Sequence, residues 1–495
     1  MEKQVSMIRV DEENPSILKI QDRCIKCGMC ATVCSEYVSV HNKYDYNKTQ
    51  KPICVNCGQC VKTCPVDALV VKNEYKKVKE VLKDKSKVVI VSTSPSVRVA
   101  LGEAFGMPFG TFVEDKMVGV LKQLGFSYVL DTNFSADLTI CEEANEFVKR
   151  IQNGGKLPQF TSCCPSWIKF AELFYPEILP NISTCKSPIG MQGPVIKTYF
   201  ASKKGIDPSS IVNVALTPCV AKKMEIRRKE FNSASKFNGL SEAQDMDYCI
   251  TCTELAEWIK EEGIDFNNVQ GAKFDNLLGS ASGAGVIFGN SGGVMEAAVR
   301  TAYNYLTGKN PSDLLLKFNP VRGLDGIKEA EVEVAGIKLR LCAIYGLQNA
   351  RTVLEQLKDG VKTYDFIEIM TCPGGCIGGG GQPKQRDHEV DAQKARIKSL
   401  YKRDDELSVR SSHENKEVID LYREFLGERG GEIAEKLLHT VYFDKSKELD
   451  VTKEVKQKMV KYRCTICGEV FELPEGQEPV CPVCFVGKDL LEVIG

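Results

Sequence analysis

The residues of this chain best suited to chemistry are its cysteines, 22 in 495 residues, most of them at short fixed spacings. Eight form one repeated pattern, C-x2-C-x2-C-x3-C, at Cys24, Cys27, Cys30 and Cys34 and again at Cys54, Cys57, Cys60 and Cys64. Three thiolates on a tight turn can hold three irons of a cube, and in the bacterial two-cluster pattern the fourth Cys of each run ligates the other cluster. The spacing therefore predicts one [4Fe–4S] cluster on Cys24, Cys27, Cys30 and Cys64, and a second on Cys54, Cys57, Cys60 and Cys34. Pro65 follows Cys64 as that pattern wants, whereas Ser35 follows Cys34. Paired zinc sites would need C-x2-C knuckles rather than runs of three. The front of the chain thus reads as an electron-transfer module.

Ten cysteines lie in the long middle stretch, three groups of them in segments punctuated by Pro or Gly: TSCCPSW at 161–167, TPCVAKKMEIRR from Thr217, and EIMTCPGGCIGGGGQP from Glu368. Cys164, Cys219, Cys372 and Cys376 could supply the four thiolates of a further [4Fe–4S] cube from loops far apart in sequence, a site buried between two lobes. Neighbouring Pro and Gly let backbone approach such a cluster and aim N–H groups at its sulfurs, with Lys222 adding a positive charge. Adjacent cysteines point different ways, so Cys163 is left free to exchange protons. Near the C-terminus, Cys464, Cys467, Cys481 and Cys484 give C-x2-C-x13-C-x2-C, a four-sulfur tetrahedral site for one iron or zinc ion. An extra pair, Cys249 and Cys252, cannot complete a site alone and reads as structural. Cys141, Cys185 and Cys342 sit in apolar surroundings and read as small core residues. The four His, at 41, 388, 413 and 439, form no cluster, and His413 and His439 read as hydrogen-bonded structural residues.

The elements that must position these groups follow from the pattern between them. From Lys87, β-rich runs such as KVVIVSTS, VNVALT and KLRLCAIYGL alternate with helix-like runs at 114–124 and 137–151, which predicts α/β architecture with parallel strands. The glycine-rich stretches from Gly279 and Gly378 read as tight loops. In the second helix Ile140, Ala144, Phe147 and Ile151 make one stripe, while Glu143, Glu146 and Arg150 share an adjoining face. By periodicity alone that face is solvated. The expected domains are 1–86, 87–443, a charged linker at 444–458 and a small metal module at 459–495. Apolar residues make up 43% and charged residues 26%, with 65 basic against 66 acidic side chains. That balance gives no reason to expect nucleic acid or an anionic membrane as partner. The N-terminus lacks a signal-peptide core and no run of about 18 apolar residues occurs, so a cytoplasmic protein is expected.

At the three central motifs the chain resembles the [FeFe]-hydrogenases, whose signatures take the forms TSCCPxW, xPCxxKxxE and ExMxCxxGCxxGGGxP, here in family order with Glu225 and Glu368 in register. The ferredoxin-like front end and the tail from Ser412 are also similar to that family. The resemblance implies an α+β ferredoxin-like front domain and an α/β body of two lobes with parallel or mixed sheets enclosing an H-cluster, which is a [4Fe–4S] cube on Cys164, Cys219, Cys372 and Cys376, with Cys376 bridging to a diiron subcluster carrying CO, cyanide and an azadithiolate. It implies that Lys222 holds one cyanide, that Ser94, Pro95 and Ser96 meet the other, and that Phe288 and Met370 pack against the diiron unit. It places Cys163, Glu143, Ser183, Glu146 and Arg150 in a proton relay, and names H2, protons, a ferredoxin or similar small carrier, and maturation proteins as partners. Thr217 stands where Met is usual, and Ile189 and Gly190 replace Gln residues of many relatives. YRCTICG and PVCPVC resemble rubredoxin-like domains, for which iron is favoured over zinc, although Phe485 replaces the usual Gly. Within the same resemblance, a slow sensory hydrogenase lacks a visible sensor domain, and a non-catalytic iron–sulfur assembly protein would have lost Lys222, Met370 and Cys163.

Overall fold

The computed structural model describes residues 7–240, 243–451, 459–474, 479–483 and 488–494. At the front, β1 (Ile17–Lys19) pairs antiparallel with β2 (Leu69–Val71), and the two cysteine runs lie between them in sequence. Apolar residues Ile8, Ile17, Val61 and Leu69 pack around Cys30, Cys34, Cys54, Cys60 and Cys64. Within the expected front domain, the helix Tyr75–Val81 packs its Tyr75 and Val78 into the core of the body. There Tyr75 stacks on Trp258 with ring centroids 5.8 Å apart.

Two four-stranded sheets follow. The first, in order β4-β3-β6-β7, is parallel throughout and comprises β3 (Val88–Thr93), β4 (Tyr128–Asp131), β6 (Ile211–Thr217) and β7 (Tyr248–Thr251). The second, β5-β10-β9-β8, is mixed: β5 (Gln159–Phe160), β10 (Phe366–Met370) and β9 (Ile337–Tyr345) run parallel, and β8 (Ile327–Val334) closes the edge as an antiparallel hairpin with β9. The turn at Ala335-Gly336, both with φ > 0, makes that hairpin, and the sheet is mixed, within the expected parallel or mixed sheets.

Six helices carry the rest of the argument: α1 (Glu114–Gln123), α2 (Thr132–Gln152), α3 (Pro165–Phe174), α4 (Gly293–Thr307), α5 (Glu389–Glu406) and α6 (Glu432–Leu438). α2 begins five residues before the apolar stripe suggests, because Asp131 at the end of β4 accepts the Asn133 N–H at 2.9 Å and caps it. It is not a surface helix. Ala136, Ile140, Ala144 and Phe147 face one core cluster while Phe134, Leu138 and Cys141 face another, so both flanks are apolar and the polar residues between them are carried inside. Part of the glycine stretch from Gly279 forms a short helix, Gly283–Ile287, rather than a loop.

The expected linker is not strung out over its whole length. Residues 444–451 lie against α3 and the front end: the Lys445 ammonium is 2.6 Å from the Glu172 carboxylate, and the Val451 N–H donates to the Lys48 carbonyl at 2.9 Å. Residues 452–458 lie outside the described residues. Beyond them β11 (Met459–Cys464) pairs antiparallel with β12 (Val470–Pro474) and β13 (Leu491–Val493) in a separate three-stranded sheet. No helix among the described residues is long and apolar enough to cross a membrane.

Candidate active site

The site lies where strand ends from both sheets meet. Ser94, Pro95 and Ser96 follow β3, Thr217 ends β6 with Cys219 and Lys222 just beyond it, Cys163 and Cys164 follow β5, and Met370 ends β10 ahead of Cys372 and Cys376. Ligands of α/β sheets bind outside the carboxyl ends of strands because loops there are free to vary while the sheet holds them rigidly. Between these loops is a cavity of about 50 Å³. Its lining includes Ser96, Cys163, Cys219, Lys222, Met370 and Cys376, with Pro95, Ser94, Thr217, Ile189 and Phe288 completing the wall.

Cys164, Cys219, Cys372 and Cys376 are brought together closely enough that the Cys164 thiolate raises the pKa of the other three and Cys219 that of Cys372 and Cys376. Burial dominates that effect and pushes the Cys219 thiol up to about 12. As bare thiolates these groups are costly in such an interior, and a cationic iron core that takes their charge removes the cost, so the donor set suits a cluster. The cavity also holds polar atoms without a partner, the hydroxyls of Ser96 and Thr132. The Lys222 ammonium donates to the Cys163 carbonyl at 3.1 Å and to Glu225 at 2.8 Å, which leaves one of its three N–H groups for an occupant. Burial alone would lower its pKa, but Glu225 holds it above the ordinary lysine value, so it stays charged. Thr217 uses its hydroxyl locally, accepting the Cys219 N–H at 3.1 Å. Glu368, in register with its motif, spends both oxygens on the N–H groups of Gly292 and Met295 at the start of α4, at 2.6 and 2.7 Å.

From Cys163 a line of titratable groups runs along α2. Three carboxylates on this helix are fully buried. Asp137 is saturated by Ser282, Ser412 and Asn415, and Glu142 by Tyr422, Gly430 and His439. Glu143 is different: it is 0% exposed and neither carboxylate oxygen has a hydrogen-bond partner. Burial, reinforced by the charge of Glu146, pushes its pKa up to about 8, which the nearby Ser162 backbone and Ser183 only soften. One turn on, the Ser183 hydroxyl donates to Glu146 at 2.7 Å and Arg150 pairs with the other oxygen at 2.6 Å. The Glu146 and Arg150 side chains are only 17% and 13% exposed, so the solvated-face reading of periodicity fails because the 182–184 segment covers them.

The front-end cysteines group across the two runs. Cys34 is influenced by Cys54 and Cys30, and Cys57 and Cys60 by Cys34 and Cys54; Cys57 and Cys60 are buried, whereas Cys27 is exposed and Cys24, Cys30 and Cys64 are half-buried. Cys57 in turn lies near Cys219 and Cys372 of the body. The close approach depends on glycine: a Cβ on Gly58, whose φ is +73°, would stand 2.4 Å from Val220, and one on Gly380 would stand 2.8 Å from the Cys57 carbonyl.

The C-terminal cysteines differ in scale. Among the described residues, Cys464, Cys467 and Cys481 are the one set of three ligand groups whose atoms all lie within 4.8 Å of one another. The Cys467 and Cys481 sulfurs are 3.5 Å apart, near the roughly 3.8 Å that metal–sulfur bonds of about 2.3 Å give at tetrahedral angles. That is single-ion spacing, whereas the other cysteine groups spread more widely, as four-iron clusters need. Cys484 lies outside the described residues. Cys249 and Cys252 point into different apolar clusters and share no site. Ser183 and the tail from Ser412 drew notice in the sequence, but the pairing of residues 182–186 with 438–442 that covers this face did not, since no motif links the two segments.

A ring of thiolates at the strand ends of two sheets, joined to a second cysteine module on one side and a carboxylate line on the other, defines an iron–sulfur oxidoreductase. Two family models match the chain, the iron-only hydrogenase large subunit, C-terminal domain, over residues 87–380, and the iron hydrogenase small subunit over residues 390–445. The chain belongs to the iron-only, or [FeFe]-, hydrogenase family. It is 43% identical to an NADP-reducing hydrogenase subunit of Solidesulfovibrio fructosivorans, covering 87% of this chain and 75% of that one. It is 41% identical to iron hydrogenase 1 of Clostridium pasteurianum, over 88% and 77%. A solved [FeFe]-hydrogenase from Chlamydomonas reinhardtii superposes with a TM-score of 0.66 at 36% identity, covering 75% of this chain and 99% of that one.

Proposed function

We propose that the protein catalyses 2H+ + 2e− ⇌ H2 at an H-cluster held between two lobes built on the two sheets, with electrons relayed through the front end. The observation that carries this reading is that Cys163 and the unpartnered, buried Glu143 stand beside the cavity walled by Cys219, Lys222 and Cys376. Cys164, Cys219, Cys372 and Cys376 would hold the cube, Cys376 would bridge to the diiron unit, and Lys222 with Ser94 to Ser96 would hold its diatomic ligands. When bound, that group supplies the redox-active, open iron at which protons and electrons combine. The chain supplies the rest. Cys163 carries a proton at Sγ between the cavity and Glu143, Ser183 passes it between Glu143 and Glu146, and Arg150 fixes Glu146. Phe288, Met370 and Ile189 keep the cavity apolar and exclude water.

Cys54, Cys57, Cys60 and Cys34 would hold one front-end cluster and Cys24, Cys27, Cys30 and Cys64 the other, and these would supply the one-electron chemistry that feeds the body, which Cys57 approaches at Cys219 and Cys372. A ferredoxin or similar small carrier is the partner this arrangement suits, and maturation proteins would install the diiron unit. The test is infrared spectroscopy of the matured protein together with H2 evolution from a reduced dye. Bands of metal-bound CO and cyanide with turnover are expected; bands with little turnover would favour the slow sensory hydrogenase, and absence of the bands would leave a non-catalytic relative on the same fold.

The C-terminal module would hold one iron as an additional one-electron centre. Truncation after Val451, rather than within the packed residues 444–451, is expected to leave dye-driven turnover intact and remove the visible absorption of an oxidised iron–tetrathiolate. Full-length protein without that absorption would hold zinc, and loss of turnover on truncation would give the module a structural role.

A further inference from the structure

Ser183 is a proton carrier on the reading above, and what holds it in place comes from the far end of the chain. Residues 183–186 run antiparallel to residues 438–442, just past α6. The Lys186 N–H donates to the Leu438 carbonyl and the Thr440 N–H to the Thr184 carbonyl, each at 2.8 Å, and Cys185 bridges His439. The Tyr442 hydroxyl donates to the Ser183 carbonyl at 2.6 Å. His439 stands astride the joint, with Nδ1 2.8 Å from the Thr184 hydroxyl and Nε2 3.2 Å from the Glu142 carboxylate. On its other side the Thr184 backbone N–H donates to Glu146 at 3.1 Å, and Thr184 itself is exposed.

We propose that His439 is a positioning residue of the proton path: together with Tyr442 it straps the Ser183–Thr184 turn onto Glu146, and it places a titratable charge beside the path's solvent end. The inference rests on the carboxylate path proposed above. The groups that act on His439 are the carboxylates of Glu142 and Glu146 from α2 and of Glu435 from α6, the last 3.8 Å from Nδ1; the Tyr422 hydroxyl bonds Glu142, and Arg429 is near enough to Glu142 to feel its charge. Burial alone would lower the imidazole's pKa, but the Glu142 hydrogen bond and charge raise it above the ordinary histidine value. As a cation, His439 donates through both nitrogens, to Glu142 and to the Thr184 hydroxyl. Once neutral, one nitrogen must accept, and with Nε2–H kept toward Glu142 the Thr184 hydroxyl turns from acceptor to donor while the positive charge near Glu146 disappears. The strap thus stays closed over the titration while the field at Glu146 changes.

The test uses the matured full-length enzyme with a reduced dye, measured between about pH 5 and pH 9, the range in which a perturbed histidine titrates. His439→Gln keeps hydrogen-bonding capacity without titration; it should lower the maximal rate by about threefold and remove one inflection of the pH–rate profile. Tyr442→Phe, which deletes only the bond to the Ser183 carbonyl, should lower the rate by a similar factor, about threefold, at every pH and keep the parent's profile shape. A His439→Gln profile of the parent's shape, or a Tyr442→Phe rate equal to the parent's, would overturn the proposal. So would loss of the CO and cyanide infrared bands in either variant, since the strap would then serve the fold and not the path. Failure of the path itself is read separately, from a Glu143 variant that keeps full turnover.

Discussion

Cys163→Ser is expected to lower H2 evolution and H2 oxidation by about 10²- to 10⁴-fold, the range a positioned acid–base group contributes, while metal content and the CO and cyanide bands stay at the parent's level. The reason is chemical. A serine hydroxyl occupies nearly the same space but holds its proton far more tightly than a thiol, whose ordinary pKa is about 8.5. The backbone around it has independent support, since Lys222 bonds the Cys163 carbonyl rather than its side chain. Retention of near-parental turnover would remove Cys163 from the mechanism. Loss of the metal unit would make it a structural neighbour of Cys164.

Glu143→Gln is the second large effect, a loss of about 10²-fold or more in both directions with unchanged metal content, because the amide keeps the shape and loses the titration. The burial that suits Glu143 to its role also has a cost with a definite sign. Its pKa stands near 8 in the folded protein against an ordinary 4.5. Between those values the unfolded chain releases the proton while the native one keeps it, so the native state binds more protons and stability falls as pH rises. Below that window both states are protonated, and above about 8 the penalty is complete. The thermal midpoint of the parent should therefore decline more steeply over this window than that of Glu143→Gln. Parallel midpoint curves would show that Glu143 is already ionised in the fold, and a matching fall in metal content would make it a structural residue.

The tests differ in what they isolate. Cys163 and Glu143 variants probe proton transfer beside the cavity, His439 and Tyr442 variants probe the strap at its outer end, and truncation after Val451 probes an electron-side module. A common failure of all of them with normal infrared bands would point to the electron relay, where the contact of Gly58 with Val220 and Gly380 sets how near the front end sits to the cube's ligands.

Cysteine spacing determined most of the metal chemistry, because three ligands on one turn, or two on a knuckle, are local geometry that a few residues of backbone decide. The three central motifs likewise marked their own loops, since Pro and Gly beside a Cys constrain φ and access wherever the loop ends up. Alternating apolar runs were enough to read an α/β body, though not the antiparallel hairpin of β8 and β9, whose turn is a two-residue event. The depth of α2 was not legible. Its stripe of Ile140, Ala144, Phe147 and Ile151 is that of an ordinary surface helix, and only the second core cluster behind Phe134, Leu138 and Cys141 puts Glu143 out of reach of water. The same holds for the strap: Ser183 and His439 are 256 residues apart, and nothing in either neighbourhood names the other. Ligand type and local spacing travel with the sequence, whereas burial, and with it the protonation state of a carboxylate, belongs to whatever distant segments the folded chain packs around it.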